Sequence, residues 1–228
     1  MYQNDPLKVL TGECRLSYCH LDKPYANSQG AEPKYGVTLL IPKTDVATKA
    51  EIDQAMQAAI AEGVSKTWNG QRPAMPAIPL YDGDGRRANG EAFGPECKGH
   101  WVMTASCKSD RKPQVVHISN IHSELAPSDI YSGMFGRVTI RFFTYSNSGK
   151  RGVGCGLGNV LKTRDGEPLA ANRADAEDDF AGLEQSAPAA GYPGAAPYQP
   201  VPPYGYPAPG TTGAPVMPQI NPFTGQPM

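Results

Sequence analysis

Residues 186–228 contain no Lys, Arg, Asp, Glu or His, and they hold 12 of the chain's 23 prolines together with Tyr192, Tyr198, Tyr204 and Tyr206. An uncharged Pro/Gly/Ala/Tyr stretch of this kind buries too little apolar surface to offset the entropy of ordering it, so it is expected to be disordered. Directly before it lies an acidic knot, Asp175-Ala-Glu-Asp-Asp-Phe-Ala-Gly-Leu-Glu184. The chain therefore divides into a folded body (1–171), an acidic linker (172–185) and a neutral tail (186–228). A tail that does not fold serves to reach, to tether or to compete for a site. That favours a protein working in an assembly over a self-contained small-molecule enzyme.

The body has the size of one domain with a sizeable core. No apolar run approaches the roughly 20 residues of a membrane-spanning helix. The start, Met1-Tyr-Gln-Asn-Asp-Pro6, does not read as a signal peptide, so a soluble, cytoplasmic protein is expected. Cys14, Cys19, Cys97, Cys107 and Cys155 are odd in number and irregular in spacing, which predicts reduced thiols. Residues 1–171 carry 20 Lys+Arg against 17 Asp+Glu, a net +3, whereas 172–184 carry one Arg against five acids, a net −4; together they give the chain's −1. The acidic segment is either a solvated linker or a regulatory element that holds a mildly basic body partly shut.

Strand patterns occupy residues 7–21, with a kink at Thr11-Gly12, and 34–42, ended by Pro42. One helix is predicted over 44–62, capped by Thr44 or by a Thr48/Glu51 box, with Ile52, Met56, Ala59 and Ile60 as its core stripe and Gly63 as its stop. Residues 69–99 are irregular and rich in Gly and Pro, which is too long for an idle connection. Further strands are expected at 100–106, 114–119, 136–145 and 152–161. About six strands, one main helix and no βαβ alternation predict a mainly β fold, an antiparallel barrel with a helix set into it.

The most informative strand is Arg137-Val-Thr-Ile-Arg-Phe-Phe-Thr-Tyr145. Alternation puts Val138, Ile140 and Phe142 on one face, as core, and Arg137, Thr139, Arg141, Phe143 and Tyr145 on the other. A face that combines arginines with aromatics suits single-stranded nucleic acid, with Arg on phosphate and rings on bases. The alternative is that the rings pack under a loop, covered by arginine stems. In Lys150-Arg-Gly-Val-Gly-Cys-Gly-Leu-Gly158, glycine at every second position leaves one strand face bare, allowing tight curvature or close approach of a base. No dinucleotide or phosphate-loop motif is present. Further basic sites are Lys34 beside Tyr35, Arg86-Arg87, and the Lys108, Arg111, Lys112 turn; Trp101 is either a stacking ring or a core anchor.

Enzyme readings are weaker. The calcium-loop likeness of Tyr81-Asp-Gly-Asp-Gly85 fails because the twelfth position from Asp82 is Phe93 rather than Glu. Asp82, Asp84 and Glu96 would be the ligands of a magnesium nuclease. Cys14, Cys19, His20, Cys97, His100 and Cys107 would be those of a zinc site, but no CxxC pair exists. No catalytic residue, metal or cofactor is expected.

Several segments in order resemble the single-stranded DNA-binding proteins of tailed bacteriophages. They are Lys34-Tyr-Gly-Val-Thr-Leu-Leu-Ile-Pro-Lys43 followed by the helix, Leu80-Tyr-Asp-Gly-Asp-Gly85, Trp101-Val-Met-Thr-Ala-Ser106, Arg111-Lys-Pro-Gln-Val-Val116, Ile130-Tyr-Ser-Gly-Met-Phe-Gly-Arg137 with Phe142-Phe-Thr-Tyr145, and Lys150-Arg-Gly-Val-Gly154 through Leu157-Gly-Asn-Val160 to Asp165-Gly-Glu167. The resemblance covers residues 5–184. It implies an OB-type barrel that coats single-stranded DNA without sequence preference in phage replication and recombination, acting in the host cytoplasm. Proteins of this sort commonly carry an acidic C-terminal tail that docks on partner enzymes and competes with DNA. Here the acids sit at 175–184 and a neutral tail follows, spanning roughly 35 Å as a flexible coil. Residues 175–228 are thus the candidate docking segment for replication or recombination enzymes, or for self-association.

The expected DNA contacts are Lys34, Arg86, Arg87, Lys108, Arg111, Lys112, Arg137, Arg141, Lys150 and Arg151 on the backbone, and Tyr35, Trp101, Phe143 and Tyr145 on bases. The rival from another class is a structural or assembly protein of a phage particle, with the Pro/Tyr tail as its adhesive part.

Overall fold

The computed structural model describes residues 5–87, 89–147 and 149–169. The expectations for 172–185 and 186–228 lie outside the described residues. The elements are β1 (Lys8–Leu10), β2 (Cys14–Tyr25), β3 (Lys34–Pro42), α1 (Val46–Lys66), β4 (Leu80–Asp82), β5 (His100–Lys108), β6 (Val115–His117), β7 (Asn120–Glu124), β8 (Phe135–Asn147) and β9 (Lys150–Arg164). The fold is mainly β with one long helix, as expected. Among the described residues the strands number nine rather than about six, because β1 separates from β2 and the short β4 and β7 carry no apolar period of their own.

β8 pairs with β2, β2 with β3, β3 with β5, β5 with β9, and β9 again with β8, so five strands form a ring. β1 extends the sheet from β8, β4 from β5, and the β6–β7 hairpin from β9. The expectation of an antiparallel barrel is corrected at two pairings: β5–β9 and β6–β9 run parallel. An odd number of strands cannot alternate direction all the way round a ring, so at least one parallel pair is unavoidable. It falls at β5–β9, through the single partner pair Ser106 and Gly156.

Alternation supplies the core. Val138, Ile140 and Phe142 of β8 meet Tyr35, Val37, Leu39 and Ile41 of β3, and Met103 and Ala105 of β5, all buried. Full burial of a side chain such as Phe142 contributes about 1.5–3 kcal/mol. Helix α1 adds Ile52, Ala55, Met56, Ala59 and Ile60. Its cap is Asp45, whose carboxylate accepts from the Thr48 amide at 3.0 Å, which leaves the Thr48 hydroxyl to accept from the Gly12 amide at 2.8 Å. Thr48 is therefore inside the helix rather than its cap. Gly63 does not stop the helix either: a Cβ there would overlap the Thr144 side chain, so glycine lets α1 cross close to β8. The helix end is tied down by Trp68 Nε1, which donates to the Tyr145 carbonyl at 3.1 Å.

All five cysteines are unpaired. Burial pushes the Cys14 and Cys19 thiols up to about 12. Among the described residues no helix is long and apolar enough to cross a membrane.

Candidate nucleic-acid interface

The outer side of β8 and β9 holds the residues on which the sequence reading leaned most. Their faces are as expected, but their partners lie within the chain. The Phe143 ring lies over Gly154 and borders Gly156; a Cβ at Gly154 would overlap it. The Tyr145 hydroxyl stands 2.8 Å from where a Cβ of Gly152 would be, and the Ala77 carbonyl 2.6 Å from it. Thr139 fills the space beside Gly158. The bare glycine face is thus covered by side chains of the neighbouring strand and by Ala77. Arg141 Nε pairs with Asp5 Oδ2 at 2.9 Å, and its donated hydrogen bond is the main reason the Asp5 carboxyl lies below its ordinary value. Arg137 Nε donates to the Thr11 carbonyl at 2.9 Å.

Two expected stacking rings are core-facing. Tyr35 is 8% exposed and packs with Val37 and Leu39. Trp101 shares the inward parity of Met103 and Ala105, half-buried, with the ammonium groups of Lys43 and Lys49 at 5.1 and 4.8 Å from its ring centre. The reason is the two-residue period: each sits an even number of positions from residues that must be inside.

The open surface lies on the other side of β2, β3 and β5, in a groove of about 1210 Å³. Register arranges its floor in rows across the three strands: Arg15–Leu40–Val102, Ser17–Thr38–Thr104, His20–Gly36–Ser106 and Tyr25–Lys34–Lys108. The Thr38 and Thr104 hydroxyls hydrogen-bond at 3.0 Å. At the first row Leu40 and Val102 pack with Cys97, Phe93 and Leu169.

The decisive local feature is a bulge in β2. Between Ser17 and His20 this strand takes three steps where β3 takes two, and Tyr18 adopts φ +49°. Strict alternation from Cys14 and Leu16 would send Tyr18 into the core; the bulge turns it out, 60% exposed, onto the groove. Beyond it, His20 and Tyr25 stack with centroids 4.5 Å apart and planes at 10°. Tyr81 and Phe93 form a tilted pair at 6.3 Å on the groove's other border, with the Arg87 guanidinium 5.3 Å from the Phe93 ring.

The loop carrying Arg87 and Phe93 is rooted by an ion-pair cluster. Lys43 Nζ meets Asp82 Oδ1 at 2.5 Å and Asp84 Oδ2 at 2.6 Å, and the Gly99 amide donates to Asp84 Oδ1 at 2.9 Å. The Lys43 hydrogen bond holds both carboxyls below their ordinary values. Lys43 thus bridges two of the three carboxylates of the nuclease reading. Among the described residues no group of three or more His, Cys, Asp or Glu is placed to hold a metal ion.

Of the remaining expected contacts, Lys34 and Arg87 line the groove and Lys108 stands at its end row. Arg86 donates to the Gly90 carbonyl at 2.9 Å within its own loop, and Lys112 pairs with Asp22 at 3.0 Å. Arg111, Lys150 and Arg151 are exposed and do not line the groove. Tyr18, His20, Tyr25, Tyr81 and Phe93 line the groove and are not among the expected contacts. For Tyr25 a signal existed, since it lies in a turn-rich stretch beside Lys23 where an exposed ring has no core to serve.

An open trough with rings on both borders, and a floor that runs from Leu40 and Val102 through the Thr38 and Thr104 hydroxyls to lysines, suits an extended chain. The sequence profile of the Enterobacter phage Enc34 ssDNA-binding protein family matches residues 7–189, and the chain belongs to this family. The solved single-stranded DNA-binding protein from bacteriophage Enc34 in complex with ssDNA is 30% identical with a TM-score of 0.61, over 72% of this chain and 90% of that one. A second structure of the Enc34 protein is also 30% identical, with a TM-score of 0.59 over 76% and 90%. Protein p50 of Acyrthosiphon pisum secondary endosymbiont phage 1 is 26% identical over 185 residues, 79% of this chain and 96% of that protein.

Proposed function

We propose that this protein coats single-stranded DNA without sequence preference during phage replication and recombination, in the host cytoplasm. Bases stack on Tyr18, on the Tyr25/His20 pair and on the Tyr81/Phe93 border, while Lys34, Lys108 and Arg87 meet the backbone. The observation that carries this reading is the β2 bulge, which holds an exposed tyrosine in a left-handed conformation on the floor of an open groove. Such strain persists only where the surroundings or a function maintain it. The five-stranded ring, with α1 inserted between β3 and β5, supports description of the body (1–171) as an OB-like barrel. The groove replaces the β8–β9 face as the proposed interface. No part of the reading requires a catalytic group. The acidic linker (172–185) and the tail (186–228) are proposed to modulate DNA binding and to engage replication or recombination enzymes.

The test is fluorescence anisotropy with single- and double-stranded oligonucleotides at several salt concentrations, using the full chain and a form ending at Ala171. Preferential single-strand binding that weakens with salt is the expected result. Tighter binding by the shortened form would show that the acidic segment competes with DNA. No binding by either form at low salt would overturn the reading in favour of a particle-assembly role.

A further inference from the structure

Sorting the basic residues by what they hold leaves an unusual pair. Arg141, Lys112 and Lys43 have carboxylate partners, while Arg137 and Arg86 donate to carbonyls. Lys34 and Lys108 form no ion pair among the described residues. They are direct partners across β3 and β5, both exposed, on the face that carries Gly36 and Ser106. Directly opposed like charges destabilise a sheet, and such partners have Cβ atoms only about 4.5–5.5 Å apart. Packing does not demand the pair, because neither side chain is buried. On the other flank of Lys34 stands Tyr25, with its ring on His20. The row therefore reads ring, ammonium, ammonium, at the end of the groove opposite the Leu40/Val102 cluster.

A nucleotide offers the complement: a base with one phosphate beside it. We propose that Lys34 and Lys108 together form a seat for a single backbone phosphate of the DNA strand, next to a base stacked on Tyr25, and so fix where the strand enters or leaves the groove. This rests on the single-stranded DNA reading above. An anion between the two ammonium groups converts a repulsion in the free protein into two attractions in the complex. Binding thereby draws on a strain already present in the sheet.

The experiment compares the full-length parent with Lys34→Gln, Lys108→Gln and the double variant on a thymidine-only oligonucleotide over a range of salt. For single strands each phosphate neutralised contributes about 0.7 to the slope of log affinity against log salt. One remaining lysine still neutralises a shared phosphate, so a shared seat predicts that either single change lowers the slope little and that the double change lowers it by about 0.7. A loss of about 0.7 in each single variant, adding in the double, would mean that each lysine holds its own phosphate, and an unchanged slope in the double variant that neither holds any; both overturn the seat. Without DNA, at low salt, each single variant is expected to melt above the parent because the repulsion is relieved. An unchanged or lower midpoint would overturn the shared geometry. A parent that binds no single strand defeats the functional reading itself, whereas a parent that binds while the double variant keeps its slope defeats the seat alone.

Discussion

On β8 and on β2, exposed aromatic residues stand near basic ones, yet the two surfaces have opposite relations to the rest of the chain. Phe143 lies over Gly154 and Gly156, and Arg141 is held by Asp5. On the β2–β3–β5 side, Tyr18 is thrown outward by a bulge, and Lys34 faces another lysine. Residue type is the same in both places. What differs is whether the polar and aromatic groups have been satisfied internally. A ring that covers glycine backbone is spent on stability, while a ring held out at positive φ is available to a ligand.

The sharpest test of this contrast is a pair of double variants. Tyr18→Ala with Tyr25→Ala is expected to weaken single-strand binding by about 1–3 kcal/mol per stacked base lost. Arg141→Ala with Phe143→Ala is expected to leave affinity unchanged, measured by anisotropy at one salt concentration. Equal losses on the two faces would erase the distinction and restore the β8–β9 surface as an interface.

A second test reverses the roles. Gly152→Val would drive a side chain into the Ala77 carbonyl and the Tyr145 hydroxyl, where a Cβ already comes within 2.6 and 2.8 Å. The backbone bond from Val153 N to the Ala77 carbonyl, at 2.8 Å, leaves that segment little room to withdraw. Overpacking of this kind costs about 1–3 kcal/mol. Urea unfolding should show the loss, with DNA affinity retained by the folded fraction. A variant as stable as the parent would mean that the glycine strand is not closed by its neighbours.

Much of this contrast was within reach of the sequence, and part was not. The two faces of β8 follow from a two-residue period, and α1 from its Ile52, Met56, Ala59, Ile60 stripe. The burial of Tyr35 was legible too, because it shares parity with Val37, Leu39 and Ile41; Trp101 likewise shares parity with Met103 and Ala105. The β8–β9 register, with Asn147 opposite Lys150, brings Phe143 opposite Gly154. The glycine face could therefore have been recognised as covered. Tyr18 could not. Its exposure depends on one extra residue in β2, and a bulge leaves no periodic trace when the inserted residue is itself a good strand former. Tyr81 and Phe93 lie in an irregular Gly/Pro-rich stretch whose course is set by contacts with β5 and Lys43 rather than by local pattern.

The smallest expected effect concerns the root of that stretch, and its sign is informative. Asp84 carries negative charge on the loop that bears Arg87 and Phe93, so simple electrostatics predicts that Asp84→Ala tightens DNA binding. Its structural role predicts the reverse, because the variant loses the bonds to Lys43 and to the Gly99 amide that fix the loop. We expect a modest weakening by anisotropy; tighter binding would show that the loop needs no anchor. The pH dependence follows the same logic. The Lys43 hydrogen bond holds the Asp82 and Asp84 carboxyls below the ordinary 3.8. The stabilisation they give is therefore complete above that value and is lost as pH falls through the lower folded-state values. Amide exchange at Gly99, corrected for intrinsic chemistry, should accelerate in that acid window in the parent and be fast throughout in Asp84→Ala. Protection that survives the substitution would place the anchor in the backbone of β4 and β5 instead of in the ion pair.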